Sequence, residues 1–157
     1  MTNEEFAKRV ESVRTKLYKT ALTYLGSEAL ALDAVDEAVY KALCGKWKLR
    51  QPEFFDTWIT RILINECRNI QRHRMRVFPV ETVPDSPTFQ EDEIGLKEAM
   101  DSLPEKIRLP LLLKYMEGMT EKEAAMALKI SLTTLKSRLF RARKALAKQL
   151  KEEVKLE

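Results

Sequence analysis

The stretch from Thr120 to Arg143, TEKEAAMALKISLTTLKSRLFRAR, constrains the fold more than any other part of this chain. Thr120 and Glu123 have the spacing of a capping box, in which the hydroxyl accepts from the amide three residues on and the carboxylate reaches back. A helix is therefore predicted from about Glu121, with Ala124, Ala125 and Leu128 as a small, closely packing face. The pattern breaks at Lys129-Ile130-Ser131, and Ser131 is a good N-cap for a second helix. On that helix Leu135, Leu139, Ala142 and Leu146 recur at helical spacing and define one buried stripe. Thr133, Ser137, Phe140, Arg141 and Lys144 face away from it, with Lys136 and Arg138 on the flanks. A helix-turn-helix exposes its recognition helix to the DNA major groove in this way.

An ordinary amphipathic helix pair with a solvated basic face would show a similar stripe. The distribution of charge separates the two readings. From Lys129 to Lys151 there are eight Lys or Arg and no acid, although the whole chain holds 28 basic and 24 acidic residues. A merely solvated helix mixes signs for support between neighbouring turns. The segment is therefore read as contacting DNA.

At 157 residues the chain has room for one ordinary domain or two small ones. Leu, Ala, Glu, Lys and Arg dominate, only 4 glycines occur, and strand-type alternation is absent, so an all-α fold is predicted. No run of eighteen apolar residues and no apolar stretch behind a basic start is found, which leads to the expectation of a cytoplasmic protein. Cys44 and Cys67 are far apart and belong to no metal-binding pattern; two reduced, buried thiols are expected. His73 is the single histidine and lies in a basic run, which argues against a metal site or a His-based triad. No Gly-rich phosphate loop is present, and neither cofactor nor small-molecule substrate is expected.

The segment 77–92, VFPVETVPDSPTFQED, differs in kind, with three prolines, four acids and no Lys or Arg. Proline cannot continue a helix and restricts the residue before it, so an acidic linker is predicted here. A domain at 1–76 and another at 93–157 flank it, each with 14 basic and 10 acidic residues. Two small basic helical modules on an acidic tether suggest one long anionic ligand gripped at two places. A single helical domain with one long loop is the plainer reading, but such loops are uncommon in compact domains.

Within the first module Phe6, Val10, Val13, Leu17, Ala21 and Leu25 outline a helix ending at Gly26. Ser27 caps a second helix to about Leu43, with Leu30, Val35, Ala38 and Ala42 inward and Asp33, Asp36 and Glu37 outward. After the basic connection GKWKLRQP, a third helix is predicted from near Phe54 to about Arg76. Trp58, Ile62 and Cys67 or Ile70 are placed on its inner side, and Arg61, Asn65, Arg68, Arg72, Arg74 and Arg76 on the rest. Aromatic rings among cations are what single-stranded nucleic acid requires, rings for unstacked bases and cations for phosphates. Trp58 is assigned to the core, while Trp47 and Phe54 stay open between core and base-stacking roles.

Together these residues resemble the extracytoplasmic-function (group four) sigma factors of bacterial RNA polymerase, within the sigma-70 family, and the resemblance covers nearly the whole chain. LPEKIRLPLLLKYMEGMTEKEAAMALKISLTTLKSRLFRARKAL follows the family's fourth region, and the run from Thr134 to Arg143 is its most specific part. ALDAVDEAVYKAL is similar to the acidic helix by which the family docks on polymerase. FDTWITRILINECRNIQR carries the pattern of Trp58, Ile62, Asn65, Asn69 and Arg72. The chain departs from the family at four points: Asp36 stands where Gln is usual, Val39 where an aromatic is frequent, Lys129 in place of a turn glycine and Thr133 in place of a glycine. The long third module of housekeeping sigma factors is replaced by the short acidic linker.

The resemblance implies a dissociable promoter-specificity subunit with two helical domains and no chemistry of its own, serving transcription initiation in a stress or envelope response. It implies that 93–157 lays its recognition helix on the upstream, −35 element through Thr133, Thr134, Lys136, Ser137, Arg138, Phe140, Arg141 and Lys144. Physically, Arg138 and Arg141 can fork onto guanine or phosphate, Ser137 can bond either, and Phe140 can touch a thymine methyl. It implies that 1–76 captures the melted −10 element through Lys48, Arg50, Phe54, Arg61, Asn65, Arg68 and Arg72, with Asn65 at a pocket for an unstacked base. Leu32, Asp33, Asp36, Glu37 and Val39 would dock on the clamp helices of the polymerase β′ subunit, with the β flap a further contact. The implied partners are core RNA polymerase, promoter DNA and a membrane-associated anti-sigma factor able to hold the protein at the membrane.

Two other classes stand beside this reading. A dimeric helix-turn-helix repressor or activator would bind duplex DNA unaided at a palindromic site. A nuclease would need clustered carboxylates, whereas the acids here are spread over solvent faces. On the promoter reading, Arg138→Ala weakens use of the upstream element by about 1–3 kcal/mol where the contact is bidentate to a base. Lys144→Ala weakens binding on every sequence and flattens its salt dependence. Run-off transcription and salt titrations on paired promoter variants measure both, and unchanged promoter choice by Arg138→Ala removes base reading from that residue.

Overall fold

The computed structural model describes residues 1–77 and 98–156, with side chains placed for 1–76 and 98–149. Among the described residues all regular structure is helical, as predicted. The chain divides into two compact units, Met1–Pro87 and Thr88–Glu157. The expected linker, 77–92, lies outside the described residues except for Val77, the last residue of a helix.

In the first unit, α1 (Asn3–Leu25) opens with a capping box. The Glu5 amide donates to Thr2 Oγ1 at 3.1 Å and the Thr2 amide to Glu5 Oε2 at 3.0 Å. It ends at Gly26, whose φ of 71° is a left-handed conformation that glycine adopts without steric cost. Ser27 accepts from the Leu30 amide and starts α2 (Glu28–Cys44). Two single-turn 3₁₀ helices, Lys46–Lys48 and Pro52–Phe54, lead into α3 (Phe55–Val77).

The three helices pack on one another around Phe6, Val13 and Leu17 of α1, the alanines of α2, and Phe55, Ile59 and Leu63 of α3. Ala31, Ala34, Ala38 and Ala42 are completely buried, so α2 meets its neighbours through methyl groups and approaches them closely. The Phe6 and Phe55 rings meet edge to face, centroids 5.8 Å apart. Each fully buried side chain of this size contributes about 1.5–3 kcal/mol. Arg74 donates to the Leu25 carbonyl at 2.8 Å and ties the end of α3 to an unsatisfied carbonyl at the end of α1.

Three sequence expectations require correction. The inner stripe of α3 is Phe55, Ile59, Leu63 and Cys67, while Trp58, Ile62 and Ile70 are only half-buried. Both sets recur at helical spacing, and the stripe next to the tryptophan is the one that fills the core. Leu30 is half-buried, because the smaller Ala31 and Ala34 take the inward positions of α2. Cys44 is exposed; two residues beyond the buried Ala42, it points to the opposite side of the helix, and only Cys67 is a buried thiol.

In the second unit residues 98–101 are helical and are followed by α4 (Glu105–Tyr115), α5 (Glu121–Leu128) and α6 (Leu132–Leu156). The predicted capping box is present, with the Glu123 amide donating to Thr120 Oγ1 at 3.1 Å and the Thr120 amide to Glu123 Oε1 at 3.4 Å. Ser131 caps α6 as predicted, accepting from the Thr134 amide at 3.1 Å. Leu135, Leu139 and Ala142 are buried against α4 and α5, with Leu128 and Leu146 half-buried at the margins. Lys129, between α5 and α6, has φ 56° and ψ 43°. Its amide donates to the Met126 carbonyl at 3.2 Å, and that of Ile130 to Ala125 at 3.1 Å, so the left-handed residue closes the end of α5. Lys114 of α4 bonds Glu121 at 3.0 Å and braces the first turn of α5.

Among the described residues no helix is long and apolar enough to cross a membrane. A lysine in the left-handed region is strained relative to glycine, so Lys129→Gly stabilises the second unit by about 0.5–1 kcal/mol. Slower amide hydrogen exchange through α5 and α6 is the expected sign.

The bond from Lys114, and then the nearby charges of Lys114, Lys136 and Arg143, hold the Glu121 carboxyl below its ordinary value of 4.5, outweighing the opposing effect of its desolvation. A depressed folded value means that the stabilisation is present above the ordinary value and is lost as pH falls through the folded one. Glu121→Gln therefore lowers the melting temperature near neutral pH, and the gap from wild type closes in acid below that range. A gap of equal size at both pH values would rule out the ion pair as its source.

Candidate nucleic-acid interface

The outward face of α6 is built by its inward one. Burial of Leu135, Leu139 and Ala142 leaves Thr133, Lys136, Ser137, Phe140, Arg141 and Lys144 exposed on the rest of the helix. Phe140 is 66% exposed, a large apolar side chain standing among cations rather than packed beneath them. Arg141 donates from Nη2 to Ser137 Oγ at 3.4 Å, so these two side chains lie together one turn apart. Arg138 is half-buried on the flank. Thr134 is also half-buried, and Ser131 donates to its hydroxyl at 2.8 Å, so this side chain takes part in the cap of α6. Arg143, itself exposed, reaches across the surface to α4, donating to the Tyr115 hydroxyl at 3.2 Å with its guanidinium over the ring. The outward cations are therefore a selected subset of the basic residues that the sequence places on this helix.

In the first unit α3 and the end of α2 form an open cleft of about 560 Å³. Four of the residues expected at a single strand line it: Lys48, Asn65, Arg68 and Arg72. Trp58 supplies an aromatic wall, its ring tilted against Phe55 at 6.0 Å on one side and lining the cleft with the other part of its surface. Arg50, Phe54 and Arg61 are not among the lining residues; Arg50 and Phe54 are exposed beside the 3₁₀ turns and Arg61 is half-buried on α3. Trp47, left open by the sequence, is 76% exposed with the Lys48 ammonium 5.4 Å from its ring centroid.

Sequence reasoning missed two lining residues, Lys41 and Glu66, which form an ion pair in the cleft. Glu66 is buried and Lys41 donates to its Oε1. That bond, and the charges of Glu66 and Glu37, hold the Lys41 ammonium above its usual range despite the opposing effect of desolvation. A readable signal existed: Glu66 sits between the buried Leu63 and Cys67, an acid on the inward side of an amphipathic helix.

The outer face of α2 carries Asp33, Asp36 and Glu37 exposed, with Val39 half-buried. Leu32 and Tyr40 beside them are 52% and 62% exposed. Acids interspersed with uncovered apolar side chains suit a protein partner better than a polyanion. The molecule thus has a basic outer helix face, a basic cleft with an aromatic wall, and an acidic, partly apolar helix face.

Comparisons with known proteins agree with this division. The family description Sigma-70 region 2 matches residues 9–77, and Sigma-70, region 4 matches residues 94–146. RNA polymerase sigma factor SigV of Bacillus subtilis is 31% identical over 141 residues, covering 87% of this chain and 85% of that protein. The ECF RNA polymerase sigma-E factor of Escherichia coli is 30% identical over 135 residues, 73% of this chain and 70% of that protein. Among solved structures, the sigma factor RpoE of Bartonella quintana, in complex with the anti-sigma factor NepR, superposes with a TM-score of 0.82 at 25% identity, over 94% of this chain and 98% of that one. CnrH, in complex with the cytosolic domain of CnrY, shares the fold at 22% identity, with a TM-score of 0.78 over 96% and 90% of the two chains. With its two basic surfaces, its acidic helix face and these relatives, the chain belongs to the extracytoplasmic-function sigma factors of bacterial RNA polymerase.

Proposed function

We propose that this sigma factor divides promoter recognition between its two units, with residues 1–76 docking on core polymerase and holding the melted −10 element, and residues 93–157 reading the −35 element as duplex. The observation that carries the proposal is the cleft that gathers Lys48, Asn65, Arg68 and Arg72 around Trp58. A half-buried indole offers a stacking surface for an unstacked base, the Asn65 amide offers both a donor and an acceptor, and the cations suit the flanking phosphates. Lys136, Ser137, Phe140, Arg141 and Lys144 of α6, with Arg138 on the flank, carry the duplex contacts. Thr133 adds a hydroxyl near the helix N-terminus, where phosphate is favoured. Thr134 contributes by fixing the cap and so the direction of the helix.

The acidic face of α2, with Leu32, Asp33, Asp36, Glu37 and Val39, binds the clamp helices of the β′ subunit, and the second unit contacts the β flap. The acidic linker at 77–92 joins the two units. The protein performs no covalent chemistry; its contribution is placement, and it works in the cytoplasm, where polymerase is. Regulation by an anti-sigma factor is supported by the similar RpoE, which is seen bound to one.

Run-off transcription with core polymerase on a library of promoter fragments, with and without this protein, tests the assignment; a shared upstream and downstream element should emerge among the templates used. Replacing Asp33 and Asp36 together by Lys lowers affinity for core polymerase at least about tenfold, since like charges then meet an interface selected for acids. The DNA preference of the second unit stays as it was. Undiminished capture of core polymerase by the double variant would take docking off this face of α2.

A further inference from the structure

The promoter reading leaves Arg143, an exposed cation of α6, without a role. Its Nε donates to the Tyr115 hydroxyl at 3.2 Å while the guanidinium lies over the same ring, 5.9 Å from the centroid. Tyr115 ends α4, outside the helix-turn-helix, and is 60% exposed. A hydrogen bond and a cation–π contact at such a place add little to stability. What they do fix is direction. With Nε engaged, the N–H donors on the two Nη atoms form a fork held in one orientation at the surface. The partner of that bond is a neutral hydroxyl, whereas Lys114, the neighbouring cation on α4, is bonded to the Glu121 carboxylate at 3.0 Å. Arg143 is thus aimed without its charge being met by the group that aims it.

Its place on the helix says what it is aimed at. Seven residues bring an α-helix to about 20° short of two turns, so Lys136 and Arg143 lie nearly on one line, with Phe140 between them. All three are exposed. This line borders the face of Thr133, Ser137 and Lys144 on the side towards the start of α5, where the Glu121 carboxyl senses the charges of both Lys136 and Arg143. In a helix-turn-helix complex the second helix enters the major groove while the first crosses the backbone. The side of α6 towards α5 therefore meets the sugar–phosphate wall of the groove, and a planar fork of donors matches two oxygens of one phosphate.

We propose that Arg143 binds a backbone phosphate at the wall of the groove that α6 enters, and that Tyr115 is the positioning residue that aims it, so that the duplex footprint of the second unit depends on α4 as well as on the helix-turn-helix. The inference rests on the reading of α6 as the duplex-binding helix. A phosphate contact carries no sequence information of its own. One aimed contact of this kind adds register rather than general grip, setting where Ser137, Phe140 and Arg141 meet the bases.

The test uses holoenzyme assembled from core polymerase and the full chain, with promoter DNA taken from the run-off selection. Each phosphate of the upstream element is replaced, one at a time, by a neutral methylphosphonate. At one phosphate the replacement should weaken binding by wild type about tenfold. Arg143→Ala should bind the unmodified DNA about tenfold more weakly and lose nothing further at that phosphate, while its sensitivity at the others stays. Its salt dependence should flatten by about one released counterion. Arg143→Lys keeps the charge but not the fork, and Tyr115→Phe keeps the ring but not the hydroxyl; each should reduce the penalty at the same phosphate to about threefold. These two conservative variants carry the test if Arg143→Ala folds poorly.

A wild-type pattern at every phosphate in the three variants overturns the proposal, and full sensitivity in Tyr115→Phe alone removes the positioning role. Weaker capture of core polymerase by Arg143→Ala and Tyr115→Phe, with the phosphate pattern intact, would assign the pair to a protein interface and overturn it equally. Failure of the underlying reading looks different. If Lys136→Ala and Arg141→Ala also leave every phosphate and base preference of the upstream element unchanged, α6 does not bind the duplex. If those two change the pattern while the Arg143 variants do not, the reading of α6 stands and Arg143 alone is refuted.

Discussion

Burial of Phe55, Ile59, Leu63 and Cys67 sets the rotation of α3 about its own axis, and that rotation decides what the cleft contains. Successive residues of an α-helix are 100° apart, so anchoring one stripe directs every other residue. Trp58, Ile62, Asn65, Asn69 and Arg72 follow one another at alternating steps of four and three and line the cleft together. Glu66 falls at the seam between the two stripes, buried like one and lining the cleft like the other. Core packing and the base-facing surface of this helix are therefore one constraint. A change that rolled α3 by a single position would exchange both Asn65 and Asn69 for their neighbours.

The parts legible in the sequence are those whose signal is local. The Thr120 capping box, the Gly26 stop and the Ser27 and Ser131 caps involve residues within four positions of each other, and helix starts read from such pairs agree with the structure to within about a residue. The recognition helix was legible for a second reason: α6 has one apolar stripe, so its outward face follows without ambiguity. On α3 two adjacent apolar stripes compete, and periodicity alone does not rank them. Size misled the choice, since the indole of Trp58 has more surface to bury than Ile59 but lies across the mouth of the core rather than in it. The inward acid Glu66 is visible in the pattern of α3, but its pairing with Lys41 is not, because the two are 25 positions apart and meet only when α2 packs on α3. Cys44 was misread by composition, since cysteine is usually buried, while its helical position directs it outward.

Charge segregation makes one small chain able to face both a protein and a nucleic acid. The exposed acids of α2 gather on one helix face, while the cations of α3 line a cleft and those of α6 stand on an outer surface. Each unit is nevertheless only modestly basic, with Arg143 and Lys114 of the second engaged in contacts within the unit. A uniformly basic surface would bind any DNA strongly and gain little from sequence. Where cations are few and some already have protein partners, phosphate contacts supply less of the affinity, and a larger share must come from the groups proposed to meet bases, such as Asn65, Ser137 and Phe140.

Modest affinity at each site becomes sufficient only when both are engaged at once. On the proposed division of labour, binding of the upstream duplex by α6 raises the effective concentration of the cleft near the downstream strand, and the gain depends on linker length and on the distance between the two DNA elements. The segment 77–92 is rich in acid and has no Lys or Arg, which disfavours contact with DNA phosphates. On that proposal polymerase supplies the remaining condition, the opening of the duplex, because the unstacking of a base costs a few kcal/mol. On the same proposal, docking through α2 is coupled to the base site, because Lys41 of α2 is bonded to Glu66 of α3 in that cleft. Recognition of the melted strand is in this way tied to the presence of the enzyme that melts it.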